Sequence, residues 1–247
     1  MLREGRMMEG LAEAEADQTR HGLLSIIVDH YVGIAEGMDS LCKLGADSKI
    51  ALVVWGTPEA LPRDLRNSFA QAVGGCQFTE SLPATPREVM TYHGVYVPIA
   101  PNGLAYALSQ GDDRDPVVRT LLMAAFVGLP IALLATGLEP NGTGWAKAGM
   151  GRAAAIWPDA WRMRMQTLRG LGIDLLRQPD EVGEWASNRL DGPRILDIGL
   201  VDMWHEQGMT GVGVGVKTIV TPGAHDRLRE YGMTLQMNGE RTWRSDK

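Results

Sequence analysis

The sequence predicts an α/β fold, a Rossmann-like three-layer sandwich around a parallel sheet. Two observations carry that prediction. Between residues 94 and 176 short apolar runs alternate with helix-length segments, in the order strand, helix, helix, strand, loop, helix, strand. The apolar runs 49–56 (KIALVVWG) and 131–137 (IALLATG) show little polar alternation, as strands buried on both faces do. Such an order implies right-handed crossovers and a sheet whose ligands sit at the carboxyl ends of its strands.

The elements follow in chain order. Residues 1–19 read as a partly helical tail. In 21–38 the residues Leu24, Ile27, Val28, Tyr31, Ile34 and Ala35 fall on one face at helical spacing, which predicts an N-terminal amphipathic helix. Residues 49–56 are the first strand, 65–75 a helix with a glycine stop, and 76–82 a second strand. Thr85 and Pro86 open a short helix over 85–93 as N-cap and first helical residue. Residues 94–100 form a strand, and 101–113 a turn that opens onto a helix. A further helix spans 116–130 and is closed by Gly128 and Pro130; strand 131–137 follows, then a glycine-rich polar loop, 139–145. Helix 161–172 and strand 173–179 complete the unit. Beyond 180 a short strand and helix (193–208) precede a strand (212–221), and then a helix capped by Thr221 with Pro222 behind it. The predicted organisation is therefore an N-terminal tail and helix (1–45), an α/β domain (46–178) and a small C-terminal α+β extension (179–247).

Composition narrows the function. A net charge of −6 argues against non-specific nucleic-acid binding. No apolar run approaches the roughly 18 residues of a membrane span. The N-terminus has no apolar core of a secretory signal, and Cys42 and Cys76 suit a reducing compartment, so a cytoplasmic location is expected. No His, Cys or acid cluster has metal-ligand spacing; Asp202 and His205 lie three apart, but two ligands make no site. Nucleotide signatures such as Gly-x-Gly-x-x-Gly and the Walker loop are missing, and 212–216 (VGVGV) reads as strand.

Several residues in 94–176 fall in a familiar order: Pro98, Gly111 with Asp112 and Asp113, Gly128-x-Pro130, Asn141 with Trp145, and Leu168 with Gly172. This order resembles the flavoprotein family of flavin-dependent cysteine decarboxylases, which includes phosphopantothenoylcysteine decarboxylase. Gly56-Thr57 sits where the family's first strand meets a phosphate loop. The resemblance implies FMN as cofactor, redox or decarboxylation of a small molecule, and a homo-oligomer built as a trimer or its multiple. It implies cofactor contacts at Gly56, Thr57, Asn102, Gly103, Asn141 and Trp145. The family's Ser-x-Asn-Thr loop here reads Pro101, Asn102, Gly103, Leu104, which leaves the Asn102 side chain and the Gly103 amide as donors. His93, just ahead of the Pro98-terminated strand, is the candidate acid or base; a helix cap or strand edge is the plainer role. His21, His30, His205 and His225 carry no comparable signal. Asp112, Asp113 and Asp115 form an acidic turn that suits either a substrate amine or a helix start.

The C-terminal 218–235 (TIVTPGAHDRLREYGMTL) is similar to a helix found in proteins encoded with bacterial microcompartments. This opens a second reading, a non-enzymatic assembly or cargo subunit that associates with microcompartment proteins. A third reading is an enzyme on the same scaffold with a different small-molecule ligand.

Overall fold

The computed structural model describes residues 21–47, 50–139, 143–150, 152, 158–190, 195–206, 208–215, 218–238 and 241–243. Strand β1 (His21–Ile27) lies inside a six-stranded sheet of order β3-β2-β1-β4-β5-β6. Its partners are β2 (Leu52–Gly56) on one side and β4 (Tyr92–Val97) on the other, both parallel. The two-residue β3 (Gln77–Phe78) extends one flank, and β5 (Ile131–Leu134) and β6 (Ile173–Leu176) the other, again in parallel.

The sheet separates two apolar layers, and side chains alternate between them. From β1, Leu23 and Ile27 enter one layer while Leu24 and Ile26 enter the other. From β5, Ala132 and Leu134 oppose Ile131 and Leu133 in the same way. The first layer is covered by α1 (Ile34–Ala46) and α2 (Arg66–Ala72), and by α8 (Glu181–Arg189) through Leu41, Leu44, Phe69, Val182 and Trp185. The second is covered by α3 (Pro86–Val89), α4 (Asn102–Gln110), α5 (Pro116–Phe126) and α7 (Pro158–Gly170), whose contributions include Val89, Leu108, Leu121 and Leu168. Short α6 (Thr143–Lys147) precedes α7. The result is the expected three-layer α/β sandwich.

Local chemistry sets the helix ends. Thr85 Oγ1 accepts from the Glu88 amide at 3.3 Å, and Asp115 Oδ1 accepts from the Val117 amide at 2.7 Å. Gly111 closes α4 in the left-handed conformation at φ 66°, as the glycine in that position predicts.

One prediction fails at the start of the chain. Residues 21–38 are not a single helix: they are strand β1, a loop over 28–33, and the first turn of α1. A strand buried on both faces carries apolar residues at nearly every position, here Gly22 through Val28. Continuing the count across the loop into α1 produced a spurious helical stripe. The segment 49–56 is therefore the second strand in chain order, and the sheet begins ahead of residue 46.

Beyond the sheet, β7 (Ile195–Leu196) pairs with β9 (Ile219–Val220) in parallel. The strand β8 (Gly211–Gly215) pairs in parallel with β10 (Thr234–Asn238), which β11 (Arg241–Trp243) joins antiparallel. Helices α9 (Ile198–Glu206) and α10 (Pro222–Glu230) cover them around Trp204, Val212, Val214, Leu228 and Leu235. The described part of the Gly-Val repeat, 212–215, falls on this strand, and Thr221 caps α10 by accepting from Ala224 N at 3.3 Å. Among the described residues no helix is long and apolar enough to cross a membrane.

The central strands are tied to α1 by a buried polar chain. The Tyr96 hydroxyl donates to Ser40 Oγ at 2.7 Å, and Ser40 donates to the Gly37 carbonyl at 2.6 Å. Burial drives the Tyr96 phenol pKa well above its ordinary value. Gly37 is also where α1 meets the β4 loop: a Cβ there would stand 2.6 Å from Ile99 Cγ1 and 2.8 Å from the Pro98 carbonyl oxygen. Gly37→Ala is expected to destabilise the protein by about 1–3 kcal/mol through overpacking, measured by urea denaturation. Gly103→Ala, with no atom within 4 Å of the new methyl, is expected to leave stability unchanged or slightly raised.

Candidate functional site

The chain lays β2 and β3 on one side of β1, then crosses to place β4, β5 and β6 on the other. The carboxyl ends of β1 and β4 thus flank a topological switch point, where no crossover covers the loops and open α/β sheets take their ligands. Three segments converge there: 28–33 after β1, 98–101 after β4, and 135–139 after β5.

Their spacing is tight enough to require glycine. A Cβ on Gly137 would stand 2.7 Å from the Ala100 carbonyl oxygen, 3.2 Å from His30 Cδ2 and 3.4 Å from His30 Nε2. A Cβ on Gly144 would meet Val32 Cγ1 at 3.0 Å and Thr136 Cγ2 at 3.3 Å. The loops after Ala100 and Thr136 therefore share one seam, and the β1 loop closes it from the third side.

Aromatic rings line this seam. His30 lies 4.5 Å from Tyr31 and 6.3 Å, edge-on, from Trp145. Trp145 in turn meets Trp161 of α7 edge-on at 5.5 Å. Tyr31 is 64% exposed and forms the outer wall, whereas Trp145 is 6% exposed. His30 Nε2 and Trp145 Nε1 are buried with no hydrogen-bond partner among the described residues. Burial lowers the His30 pKa below its ordinary value, with the neighbouring Asp29 carboxylate acting in the opposite sense.

Two helices point their amino ends at the seam without a side-chain cap. The N-cap of α1 is Gly33, at φ 84°, and that of α4 is Pro101. They differ in charge. The first turn of α1 already holds a carboxylate, Glu36, with Lys147 at 3.5 Å. The first turn of α4 holds none. There the backbone bond from Ala105 to Pro101 is the first to close, so the amides of Asn102, Gly103 and Leu104 precede the helical ladder. Arg164 of α7 reaches this end: its Nη1 donates to Asn102 Oδ1, and its guanidinium lies 5.1 Å from the centre of the Tyr106 ring. Among the described residues no carboxylate pairs with Arg164. Amides, helix dipole and an unneutralised guanidinium together make an anion site.

The sequence-predicted residues divide. Asn102, Gly103 and Trp145 come together at this seam. Gly56 ends β2, one strand over; the Thr57 amide donates to the Ile27 carbonyl at 3.1 Å and its hydroxyl accepts from Ala60. The first βα turn is the 28–33 loop, so the phosphate-loop position assigned to Gly56-Thr57 belongs to a neighbouring turn. Asn141 lies outside the described residues. His93 stands at the second position of β4, and Pro98 is about 16 Å farther along the strand. It lies at the amino end of the strand, beside Tyr92, Trp204 and Met209; the strand that leads to the crevice also carries His93 away from it. In the acidic turn Asp112 binds Arg114, which holds its carboxyl at about 2, and Asp115 caps α5. Among the described residues no cluster of three His, Cys, Asp or Glu side chains could hold a metal.

His30, Tyr31 and Arg164 escaped the sequence reading. A usable signal existed: the β-rich run 22–28 followed by a polar break and Gly33 marks a strand-loop-helix start. No local pattern marks Arg164.

No protein-family model and no curated protein matches this chain. Three solved structures resemble it. One is an FMN-dependent cysteine decarboxylase, TvaF from thioviridamide biosynthesis, at 19% identity and TM-score 0.46, over 68% of this chain and 98% of that one. The second is phenylacrylic acid decarboxylase from Aquifex aeolicus, at 14% identity and TM-score 0.47, over 68% and 96%. The third is a dodecameric FMN-dependent Ubix-like decarboxylase from Escherichia coli O157:H7, at 12% identity and TM-score 0.45, over 67% and 92%. All three are decarboxylases by name.

The His30 environment yields a prediction. Because its folded pKa lies below the unfolded 6.5, the unfolded chain binds more protons as pH falls through that value. Stability contributed by neutral His30 is full above 6.5 and is lost on acidification toward the folded pKa. Replacing His30 with Gln is expected to flatten this part of the stability profile between pH 7 and the onset of general acid unfolding, measured by denaturant melts of both proteins.

Proposed function

We propose that the chain binds flavin mononucleotide at the switch-point seam and is a flavoprotein acting on a small molecule. The observation that carries this reading is the uncapped amino end of α4 with Arg164 beside it and an aromatic seam adjoining, at the one place where the strand order reverses. A phosphate end suits the amides of Asn102, Gly103 and Leu104 and the Arg164 guanidinium. A flat ring suits the exposed Tyr31, which stands edge-on to Trp145 at 6.2 Å. When bound, the flavin supplies the electron-accepting chemistry of an oxidative decarboxylation or a related redox step.

The protein's own contribution is positional. Pro101 donates no amide, so the anion is held one residue further into α4 than a serine-led loop would hold it. The Gly137 approach fixes the spacing between the β4 and β5 loops. His30, whose pKa burial lowers, is a titratable group at the seam and offers a proton donor or acceptor there. The homo-oligomeric state implied by the motif resemblance belongs to the same proposal, and a native-mass measurement reads it directly.

Titration of the purified protein with FMN, followed by quenching of flavin fluorescence, tests the assignment. FMN is expected to bind, and riboflavin, which lacks the phosphate, to bind more weakly. Arg164→Gln is expected to weaken FMN by about 1.5–3 kcal/mol, roughly tenfold or more, and to leave riboflavin unchanged. A native protein that binds neither compound overturns the proposal.

A further inference from the structure

We infer that His30 Nε2 and Trp145 Nε1 act as a donor pair for a carbonyl oxygen at the ring end of the ligand, independently of the phosphate site at α4. This deepens the FMN assignment and rests on it. Three observations carry the inference. Both nitrogens are buried and lack a partner among the described residues, although buried polar groups are almost always hydrogen-bonded. They come from different elements, the loop after β1 and helix α6, yet their ring centres stand 6.3 Å apart at the same seam. And the His30 ring is packed closely against the β5 loop: a Cβ on Gly137 would stand 3.2 Å from its Cδ2 and 3.4 Å from its Nε2.

The chemistry of the pair selects the partner. The indole N–H only donates, so the group it meets must accept. Neutral imidazole supplies a matching N–H in its Nε2 tautomer. A carboxylate is disfavoured here, because Asp29 adjoins His30 and Glu36 occupies the first turn of α1. An uncharged carbonyl, such as those of the flavin ring, satisfies both donors without adding negative charge. With the seam closed as it stands, the two nitrogens are shielded from water, so the bond they form with a ligand is desolvated and strong. Tyr31, exposed and packed against both rings, is the side chain that must yield for the ligand to enter.

The test compares the native protein with Trp145→Phe, His30→Phe and His30→Gln, each titrated with FMN and with riboflavin and each melted without ligand. The two phenylalanine variants are expected to weaken both compounds by the same factor, about tenfold, since riboflavin shares the ring. The His30→Gln variant, which keeps an N–H, is expected to recover part of the loss. Ligand-free Trp145→Phe is expected to melt at or above the native temperature, because the donor it removes has no partner. Variants that bind both compounds as tightly as the native protein overturn the inference while the FMN assignment stands. So does a loss of binding that merely follows a large drop in ligand-free stability, which assigns the pair a packing role. A native protein that binds neither compound overturns both.

Discussion

The position of β1 governs the rest of the molecule. It pairs in parallel with β2 through Leu23–Ile27 and with β4 through His21–Ser25, and its side chains feed both apolar layers. A parallel strand in that place forces the chain to leave in one direction for β2 and β3, then return past β1 to begin β4. The reversal leaves two loop ends side by side with no crossover between them. Every candidate feature of the site follows from that vacancy: the two uncapped helix ends, the close approach at Gly137, and the meeting of His30 with Trp145.

The seam combines features that are costly unless something uses them. Among the described residues, an arginine without a carboxylate partner, helix amides without a side-chain cap, and the unpartnered buried nitrogens of His30 and Trp145 sit around one seam. In most other places the protein satisfies such groups, Ser25 Oγ and Arg66 Nε excepted. Trp185 Nε1 donates to Asp174 at 3.1 Å, and Arg189 pairs with the same carboxylate. Tyr96 and Ser40 form a complete buried chain. The contrast locates the ligand-directed part of the molecule more sharply than any single residue does.

The placement of His93 follows from strand geometry. A histidine near a proline-terminated strand is close to the crevice in sequence. In a strand, however, each residue advances about 3.3 Å, so five residues span most of the sheet. Arg164, sixty-two positions beyond Asn102, reaches the site because α7 packs against α4. Sequence proximity and spatial proximity run in opposite senses for these two residues.

Much of the architecture was legible without coordinates. The apolar runs of β2, β4, β5 and β6, the caps at Thr85, Asp115 and Thr221, and the glycine stops at Gly111, Gly128 and Gly172 are local signals, and local backbone chemistry reads them. So was the convergence of the loops after Ala100 and Thr136, because parallel topology dictates it. The identity of β1 was not legible by periodicity, since a strand buried on both faces has no polar face to betray its period. Nor were the roles of His30 and Arg164. Whether a side chain lacks a partner, and which distant helix end a guanidinium meets, depends on packing between elements far apart in the chain, and only the folded arrangement sets that.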